Sequence, residues 1–253
     1  MQKNNKTLIF KILSSSLSII SVFLLLEIYV RIIIDDGLNL NIEMLKYANS
    51  LKIVSENKSI GLEHKKNVKK KLMNVDLQLN SQGFRNNVDI DNKKRKILML
   101  GDSMTLGWGA NQTFSSILEK NINNNIQVLN AGIGNTNTYM QINNFFTNFV
   151  KYDFDIIVLN FFINDFENVK IKKVNFFKKH FYTFTYLKSK LYGILIALSL
   201  VDNWESFYKK TFENEHFLKK SLKEITKLKD YCKKNKIKLI KPSKNEFNEF
   251  LEG

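Results

Sequence analysis

Three short apolar runs in this chain each end in a polar or glycine-rich turn, and this pattern constrains the fold most. The runs span residues 96–100, 126–129 and 155–162. Each has the length and composition of a buried strand, and apolar side chains recur at helical spacing between them. Strands that alternate with helices at these intervals predict an α/β fold with a doubly wound, flavodoxin-like parallel sheet.

Amphipathic segments predict the helices around this sheet, and Thr113 is placed to cap the first of them. The predicted apolar stripes comprise Phe114, Ile117, Leu118 and Ile122, then Ile142, Phe145, Phe146, Phe149 and Val150, then Leu218, Leu222, Ile225, Leu228 and Cys232. A fourth strand is predicted at residues 237–240. An apolar helix near residues 191–201 is too short to cross a membrane, so we expect it to be buried or interfacial.

The N-terminal segment has the features of a transmembrane helix. Residues 12–30 are apolar except for serines and one charge, Glu27, which can pair with Arg31 one turn later. A helix of this length spans roughly 28 Å, close to the hydrocarbon thickness of a bilayer. A cleaved signal peptide is the alternative, but no small-residue cleavage site follows the run, so a retained anchor is favoured.

The charge asymmetry of this segment predicts its orientation. Lysines precede the apolar run, which places the N-terminus in the cytoplasm and the rest of the chain outside it, in the periplasm if the cell is Gram-negative. We therefore divide the chain into a membrane anchor (1–35), a connector and lead-in segment (36–95) and an α/β domain (96–253).

Composition excludes several classes of function. The formal net charge is +15, yet only three of the 39 basic residues are arginine, the residue preferred for bidentate phosphate and guanine contacts. The lysines are spread along the chain, so we expect no nucleic-acid partner and at most weak attraction to anionic membranes. One cysteine and three scattered histidines predict neither a disulfide nor a zinc site, and no cofactor motif is present.

The turns that follow the predicted strands carry the chemistry. The carboxyl ends of parallel strands meet at one edge of a sheet, which is where such folds bind ligands. Ser103 follows the first strand in a sharp glycine-flanked turn, as nucleophilic serines do in several hydrolase folds. A serine hydroxyl, an amide beside a glycine and an asparagine side chain suffice for acyl transfer, because N–H donors stabilise the oxyanion of the tetrahedral intermediate.

These turns resemble three of the four sequence blocks of the SGNH (GDSL) hydrolase superfamily. The matching segments are Gly101-Asp102-Ser103-Met104-Thr105-Leu106-Gly107, Asn130-Ala131-Gly132-Ile133-Gly134-Asn135-Thr136 and Phe162-Ile163-Asn164-Asp165, with a lead-in at Asn80-Ser81-Gln82-Gly83-Phe84-Arg85. The resemblance implies Ser103 as nucleophile and Gly134 and Asn164 as oxyanion donors. It also implies a cofactor-independent esterase or acyl-transfer domain acting on ester-linked acyl groups of carbohydrate or lipid.

The chain departs from the family pattern at three places. Phe162 stands where the family often has glycine. In the second block, an ungapped alignment places Asn135 where the family often has its donor glycine, so Gly132 and Asn135 are alternatives to Gly134 as the oxyanion donor. The Asp-x-x-His block expected after the fourth strand is absent, which indicates a truncated reading or a natural pseudoenzyme.

None of the three histidines has an aspartate three residues before it, and each is expected to be a surface residue. We therefore expect impaired catalysis, with a non-catalytic, membrane-tethered binding module as the alternative.

Overall fold

The computed structural model describes residues 2–122, 124–169, 171, 176–203, 206 and 215–241. The strands are β1 Lys52–Val54, β2 Leu62–His64, β3 Val68–Leu72, β4 Val75–Leu79, β5 Arg95–Leu100, β6 Ile126–Asn130, β7 Ile156–Leu159 and β8 Lys238–Ile240. The helices are α1 Gln2–Tyr29, α2 Leu40–Ser50, α3 Ser103–Leu106, α4 Phe114–Asn121, α5 Thr138–Asn144, α6 Phe176–His180, α7 Tyr182–Ala197 and α8 Glu215–Lys234. Two π-helical segments, Val30–Ile34 and Phe145–Phe149, extend α1 and α5, and Ile163–Phe166 forms a 3-10 helix.

The main sheet has four parallel strands in the order β6-β5-β7-β8. Leu98 in the middle of β5 lies opposite Leu129 on one side and Ile157 on the other. A mixed α/β fold with a parallel sheet, as predicted from the alternation of strands and helices, is therefore confirmed. The first strand of the sheet in sequence lies between the second and the third, so connections leave β5 in both directions.

Both faces of the sheet are covered by helices. Successive side chains of a strand point to opposite faces, and those of β5 from Ile97 to Leu100 are all apolar, so each face presents apolar side chains that must be buried. Leu98 and Leu100 point to a face packed by α5, its π-helical extension and α8. Ile97 and Met99 point to the opposite face, which is packed by the end of α4. The apolar residues in contact on the first face include Leu129, Ile142, Phe145, Phe149, Ile157, Leu159, Ile225, Leu228 and Cys232.

The helix predictions are confirmed in position but not in every buried residue. Thr113 is the N-cap of α4, and its hydroxyl accepts a hydrogen bond from the Ser116 N–H at 3.1 Å. Val150 was predicted on a buried stripe, and its 36% exposure shows that this is wrong. Phe114 and Ile117, on the predicted apolar face of α4, are 65% and 42% exposed. The helix is short and only its last turn reaches the sheet, where Leu118 packs.

Residues 36–95 contain more regular structure than the predicted connector. The strands β1 and β2 form one antiparallel pair and β3 and β4 another, and α2 precedes them. A second apolar core comprises Tyr47, Leu51, Leu72, Leu77, Leu79 and Leu106. Its last member belongs to the turn after β5, so this segment packs directly against the main domain.

The N-terminal helix is apolar and almost entirely exposed. The helical stretch Thr7–Ile34 has 28 residues and a mean hydropathy of 2.4, and about a tenth of its most apolar window is buried. By length and composition it can cross a membrane, a property that it shares with signal sequences.

Candidate active site

Ser103 is the first residue of the short helix α3, immediately after β5. Asp102 caps this helix: its Oδ1 accepts a hydrogen bond from the Met104 N–H at 2.9 Å. The Ser103 hydroxyl donates to Asp102 Oδ2 at 3.5 Å and is half-buried. Gly107 ends α3 with φ of 75°, a left-handed conformation that favours glycine. The turn therefore holds the serine at the carboxyl edge of the sheet.

The turn after β6 contacts the serine turn closely. The Ile133 N–H donates to the Gly101 carbonyl at 3.1 Å. A Cβ on Gly132 would lie 2.3 Å from the Leu106 nitrogen and 2.9 Å from the Asp102 carbonyl oxygen. Because both atoms are backbone, no side-chain movement could relieve the overlap. The contact between the two turns therefore requires glycine at residue 132.

The third turn lies beside the first two. The Asn160 N–H donates to the Leu100 carbonyl at 2.9 Å, which continues the ladder between β7 and β5. Asp165 is fully buried, and its two carboxyl oxygens accept from the Phe162 N–H at 2.6 Å and from Gln141 Nε2 at 2.9 Å. Burial, with the negative charge of Asp102, raises the pKa of this carboxyl to about 7. Asp165 therefore stabilises the backbone of its own turn.

Asn164 lies within this turn, in the 3-10 helix Ile163–Phe166. Its side chain is outside the part of the chain that the structure describes, so the predicted donor is located only by its backbone. The structure thus brings together the three backbone turns that carry Ser103, Gly134 and Asn164.

Gly134 is held through both its backbone N–H and its backbone carbonyl. Its N–H donates to Tyr47 Oη at 3.0 Å, and its carbonyl accepts from Lys52 Nζ at 3.0 Å. The N–H of Gly132 donates to Asn130 Oδ1 at 3.0 Å. Asn135, with φ of 64°, is exposed, and its N–H has no acceptor among the described residues. Of the three candidate amides in this turn, only that of Asn135 is open.

A buried hydrogen-bond chain supports the Gly134 turn. The Tyr47 hydroxyl, which accepts from Gly134, lies 2.7 Å from His64 Nε2, and His64 Nδ1 lies 3.0 Å from the Gly83 carbonyl. Because a carbonyl only accepts, Nδ1 carries the proton and Nε2 accepts the tyrosine proton. His64 is 6% exposed, so its prediction as a surface residue is wrong.

The protonation states of His64 and Tyr47 follow from their burial. Burial lowers the pKa of His64 to about 4, and the charge of Lys52 contributes in the same direction. Burial raises the pKa of the Tyr47 phenol well above its usual range. Both groups are therefore neutral at physiological pH. Sequence reasoning missed the pair because its members are 17 residues apart in a segment without clear periodicity.

Arg85 connects the lead-in segment to the serine turn. Its guanidinium donates to the Leu106 carbonyl at 2.7 Å and to the Ala110 carbonyl at 2.8 Å. Its backbone N–H donates to the Asn130 carbonyl at 2.9 Å, at the end of β6. The side chain is only 9% exposed. A single residue therefore ties the carbonyls that end α3 to the strand beside it.

The described residues supply Ser103 with no histidine partner. Its hydroxyl is hydrogen-bonded to Asp102 alone within that part of the chain. His180 and His216 are exposed, and His64 is committed to Tyr47 and Gly83. The same residues contain no group of three or more histidine, cysteine, aspartate or glutamate side chains that could hold a metal ion.

Comparison with known proteins finds similar solved structures but no family. No family model matches the chain, and no curated protein matches it. The esterase AlinE4, described as an SGNH-hydrolase family member, is 15% identical with a TM-score of 0.28, covering 60% of this chain and 77% of that chain. A mutant of the same esterase is 14% identical with a TM-score of 0.33, and the match covers 65% of this chain and 70% of that chain. A gut microbial diltiazem-metabolizing enzyme is 14% identical with a TM-score of 0.26, and the match covers 61% of this chain and 38% of that chain. These TM-scores carry no conclusion about family or activity.

Proposed function

We propose that this chain is a membrane-anchored serine esterase or acyl-transfer domain with a doubly wound fold of the SGNH type. The substrate class is an ester-linked acyl group on carbohydrate or lipid. The observation that carries the proposal is the position of Ser103, half-buried at the carboxyl edge of the parallel sheet and beside the Gly132 turn. The SGNH-like order and spacing of the three motifs along the chain support the same assignment.

In this proposal the Ser103 hydroxyl adds to the ester carbonyl, the ester C–O bond breaks, and the alcohol leaves with the serine proton, which gives an acyl-enzyme. Water or an acceptor alcohol then takes the acyl group and returns a proton to Ser103. The oxyanion accepts hydrogen bonds from the Ser103 N–H, from one amide of the turn after β6 and from the Asn164 side chain. The open N–H of Asn135 supports it as the second donor ahead of Gly134, whose N–H is already donated to Tyr47. Each such donor typically lowers the barrier by about 3 kcal/mol.

The proposal includes slow turnover by the chain as described. Serine is a poor nucleophile without a general base, and loss of one member of a catalytic triad costs around 10⁴- to 10⁶-fold in rate. No described histidine contacts Ser103, so the oxyanion donors and the bound geometry are left to supply the residual rate. A small base that diffuses into the site should therefore restore part of the activity.

The test is covalent labelling of the full chain by a fluorophosphonate probe, with and without added imidazole. We expect labelling that depends on Ser103 and accelerates with imidazole concentration. Ser103→Ala should abolish it, whereas the matched control Ser116→Ala, at a half-buried serine of α4, should not. Labelling that is equal in wild type and Ser103→Ala would refute the nucleophile.

A non-catalytic binding module is the second candidate. The observation in its favour is that the Ser103 hydroxyl meets only Asp102 among the described residues. This candidate predicts reversible binding of a non-hydrolysable ester analogue, with no covalent adduct at any imidazole concentration. The same labelling experiment therefore separates the two.

We also propose that the helix over Thr7–Ile34 is a retained membrane anchor with its N-terminus in the cytoplasm. The lysines at positions 3, 6 and 11 support this orientation, because cytoplasmic flanks carry an excess of positive charge. The α/β domain then lies outside the cytoplasm.

A further inference from the structure

The helices α6 and α7 expose apolar side chains that would normally be buried. Leu187, Leu191 and Ile194 of α7 are 48%, 56% and 57% exposed, and Phe176 and Phe177 of α6 are 66% and 56% exposed. Thr183 is the only buried residue of α7. From the sequence we expected the apolar helix near residues 191–201 to be either buried in the protein or interfacial. The exposure of its apolar side chains excludes the first of these alternatives.

The carboxyl end of α1 holds the first turn of α7. The Glu27 carboxylate accepts hydrogen bonds from the Tyr182 N–H at 3.0 Å and the Thr183 N–H at 2.9 Å. These are the unpaired donors of a helix N-terminus, where a negative charge is favoured. Arg31 pairs with Glu27 at 2.6 Å and donates to the His180 carbonyl at 2.6 Å. The one acidic residue of the apolar run is thus neutralised by Arg31, one turn later, and hydrogen-bonded by the first turn of α7.

An aromatic cluster fixes the depth of this contact along α1. The ring of Phe23 lies 5.3 Å from the rings of both Phe181 and Phe184. Phe23 precedes Arg31 by eight residues, or about 12 Å along a helix axis. If Arg31 lies at the membrane surface, the start of α7 lies between the level of Arg31, whose guanidinium is 4.1 Å from the centre of the Tyr182 ring, and the deeper level of Phe23 in the apolar leaflet.

The charges on the two helices match a lipid surface. Exposed lysines at positions 178, 179, 188 and 190 lie among the apolar residues of α6 and α7. Lysine side chains extend their charged ends from apolar surroundings to headgroup level, and they attract anionic lipids. The exposed apolar side chains of α1 and those of α7 belong to helices in direct contact, so a single layer of lipid could cover both.

We propose that α6 and α7 are seated in the bilayer leaflet at the carboxyl end of α1. This inference depends on the proposed anchor and goes beyond it, because the anchor alone leaves these helices in water. The partner is the lipid itself, with its acyl chains on the apolar side chains and its headgroups on the lysines.

Insertion of α6 and α7 in the leaflet would place the candidate active site close to the membrane. α2 packs along α7, and its Asn49 side chain donates to the Lys179 carbonyl at 2.8 Å. Tyr47 of the same helix contacts the Gly134 turn. One helix, about 10 Å across, therefore separates the leaflet from the turn that carries the proposed oxyanion donors. An acyl ester at the membrane surface would be within reach of that edge.

The test uses single cysteines labelled with an environment-sensitive fluorophore in the full chain, reconstituted into vesicles of phosphatidylcholine and phosphatidylglycerol. The background is Cys232→Ala. Leu191→Cys reports α7, with Ile194→Cys as a second position in case the first disturbs folding. Leu17→Cys reports α1, and Leu222→Cys, at a 41% exposed leucine of α8, is the matched control outside the proposed seat.

We expect blue-shifted emission and quenching by nitroxide-labelled lipids at positions 17, 191 and 194, several times greater than at position 222. Lipid quenching at position 17 with water exposure at positions 191 and 194 would refute the insertion of α7 in the leaflet, while it would support the membrane anchor. Water exposure at position 17 would refute the anchor itself. Shielding from water at 191 without lipid quenching would identify a protein as the occupant and would also overturn the proposal.

Discussion

The buried His64 predicts a specific loss of stability in mild acid. Its pKa is lowered from 6.5 to about 4 by burial, so the folded protein holds the imidazole neutral while the unfolded chain takes up a proton. Stability is fully present above pH 6.5 and is lost as the pH falls towards 4. The perturbation is a shift from pH 7.5 to pH 4.5, compared between the wild type and His64→Asn.

The magnitude follows from the difference in pKa between the two states. Each pH unit between 6.5 and 4.5 costs the wild type about 1.4 kcal/mol, or about 2.5 kcal/mol in total once the ends of the titration are included. For a chain of this size that loss corresponds to a decrease in Tm of about 5 to 10 °C. In His64→Asn, the amide can still donate to the Gly83 carbonyl, but nothing at that position titrates.

Asp165 changes stability in the opposite direction over the same range. Its pKa is raised from 3.8 to about 7, so its contribution is fully present below pH 3.8 and is lost as the pH rises through 7. The pH dependence of the wild type alone would therefore mix the two groups. Asp165 is present in both proteins, and the difference between their pH profiles isolates His64.

The assay is thermal unfolding of the full chain in detergent at a series of pH values, followed by tryptophan fluorescence. Trp108 is a suitable probe because its ring lies 5.2 Å from that of Tyr47. His216→Asn, at an exposed histidine of α8, is the matched control and should follow the wild type. A Tm difference between wild type and His64→Asn that is the same at pH 7.5 and pH 4.5 would refute the buried neutral imidazole.

Two substitutions test the contacts around the serine turn. Gly132→Ala should destabilise the protein by more than about 3 kcal/mol and abolish labelling at Ser103, because its Cβ would overlap backbone atoms. Gly193→Ala, where a Cβ meets nothing within 4 Å, is its control and should leave Tm unchanged or raised. Arg85→Lys should lower stability by about 2 kcal/mol, since lysine cannot span the carbonyls that the guanidinium joins. Arg95→Lys, at an exposed ion pair, should cost less than about 1 kcal/mol. Equal thermal shifts within either pair would contradict the assigned contacts.

Sequence reasoning located the elements of the sheet because their signals are local. The runs that became β5, β6 and β7 are continuous and apolar, and helical periodicity marks α5 and α8 clearly. Parallel strands buried on both faces show this pattern. Helical periodicity was a less reliable predictor of burial for α4, where Phe114 and Ile117 match the helical spacing but do not reach the sheet. Spacing identifies a helix face, whereas burial depends on what stands opposite.

The supports of the candidate site could not be read from the sequence. The strands β1 and β2 have three residues each, and β3 exposes three consecutive lysines, so no alternating pattern predicts these three. β4 does alternate apolar and polar residues over Val75–Leu79, but this pattern does not indicate which strand it pairs with. The fold of this segment nevertheless brings Tyr47 and His64 together behind Gly134. Contacts between residues that are distant in the chain leave no local periodicity.

Local patterns in the amino-acid sequence specify the parallel α/β sheet, the apolar N-terminal helix and the turn that presents Ser103, because each depends on neighbouring residues. Packing between distant segments makes His64 a buried hydrogen-bonding residue rather than a surface one. It also decides that Asn135 has the open amide and that Glu27 holds the first turn of α7. Each of these depends on which groups the fold brings within hydrogen-bonding distance and which it removes from water, and both are properties of packing between distant segments.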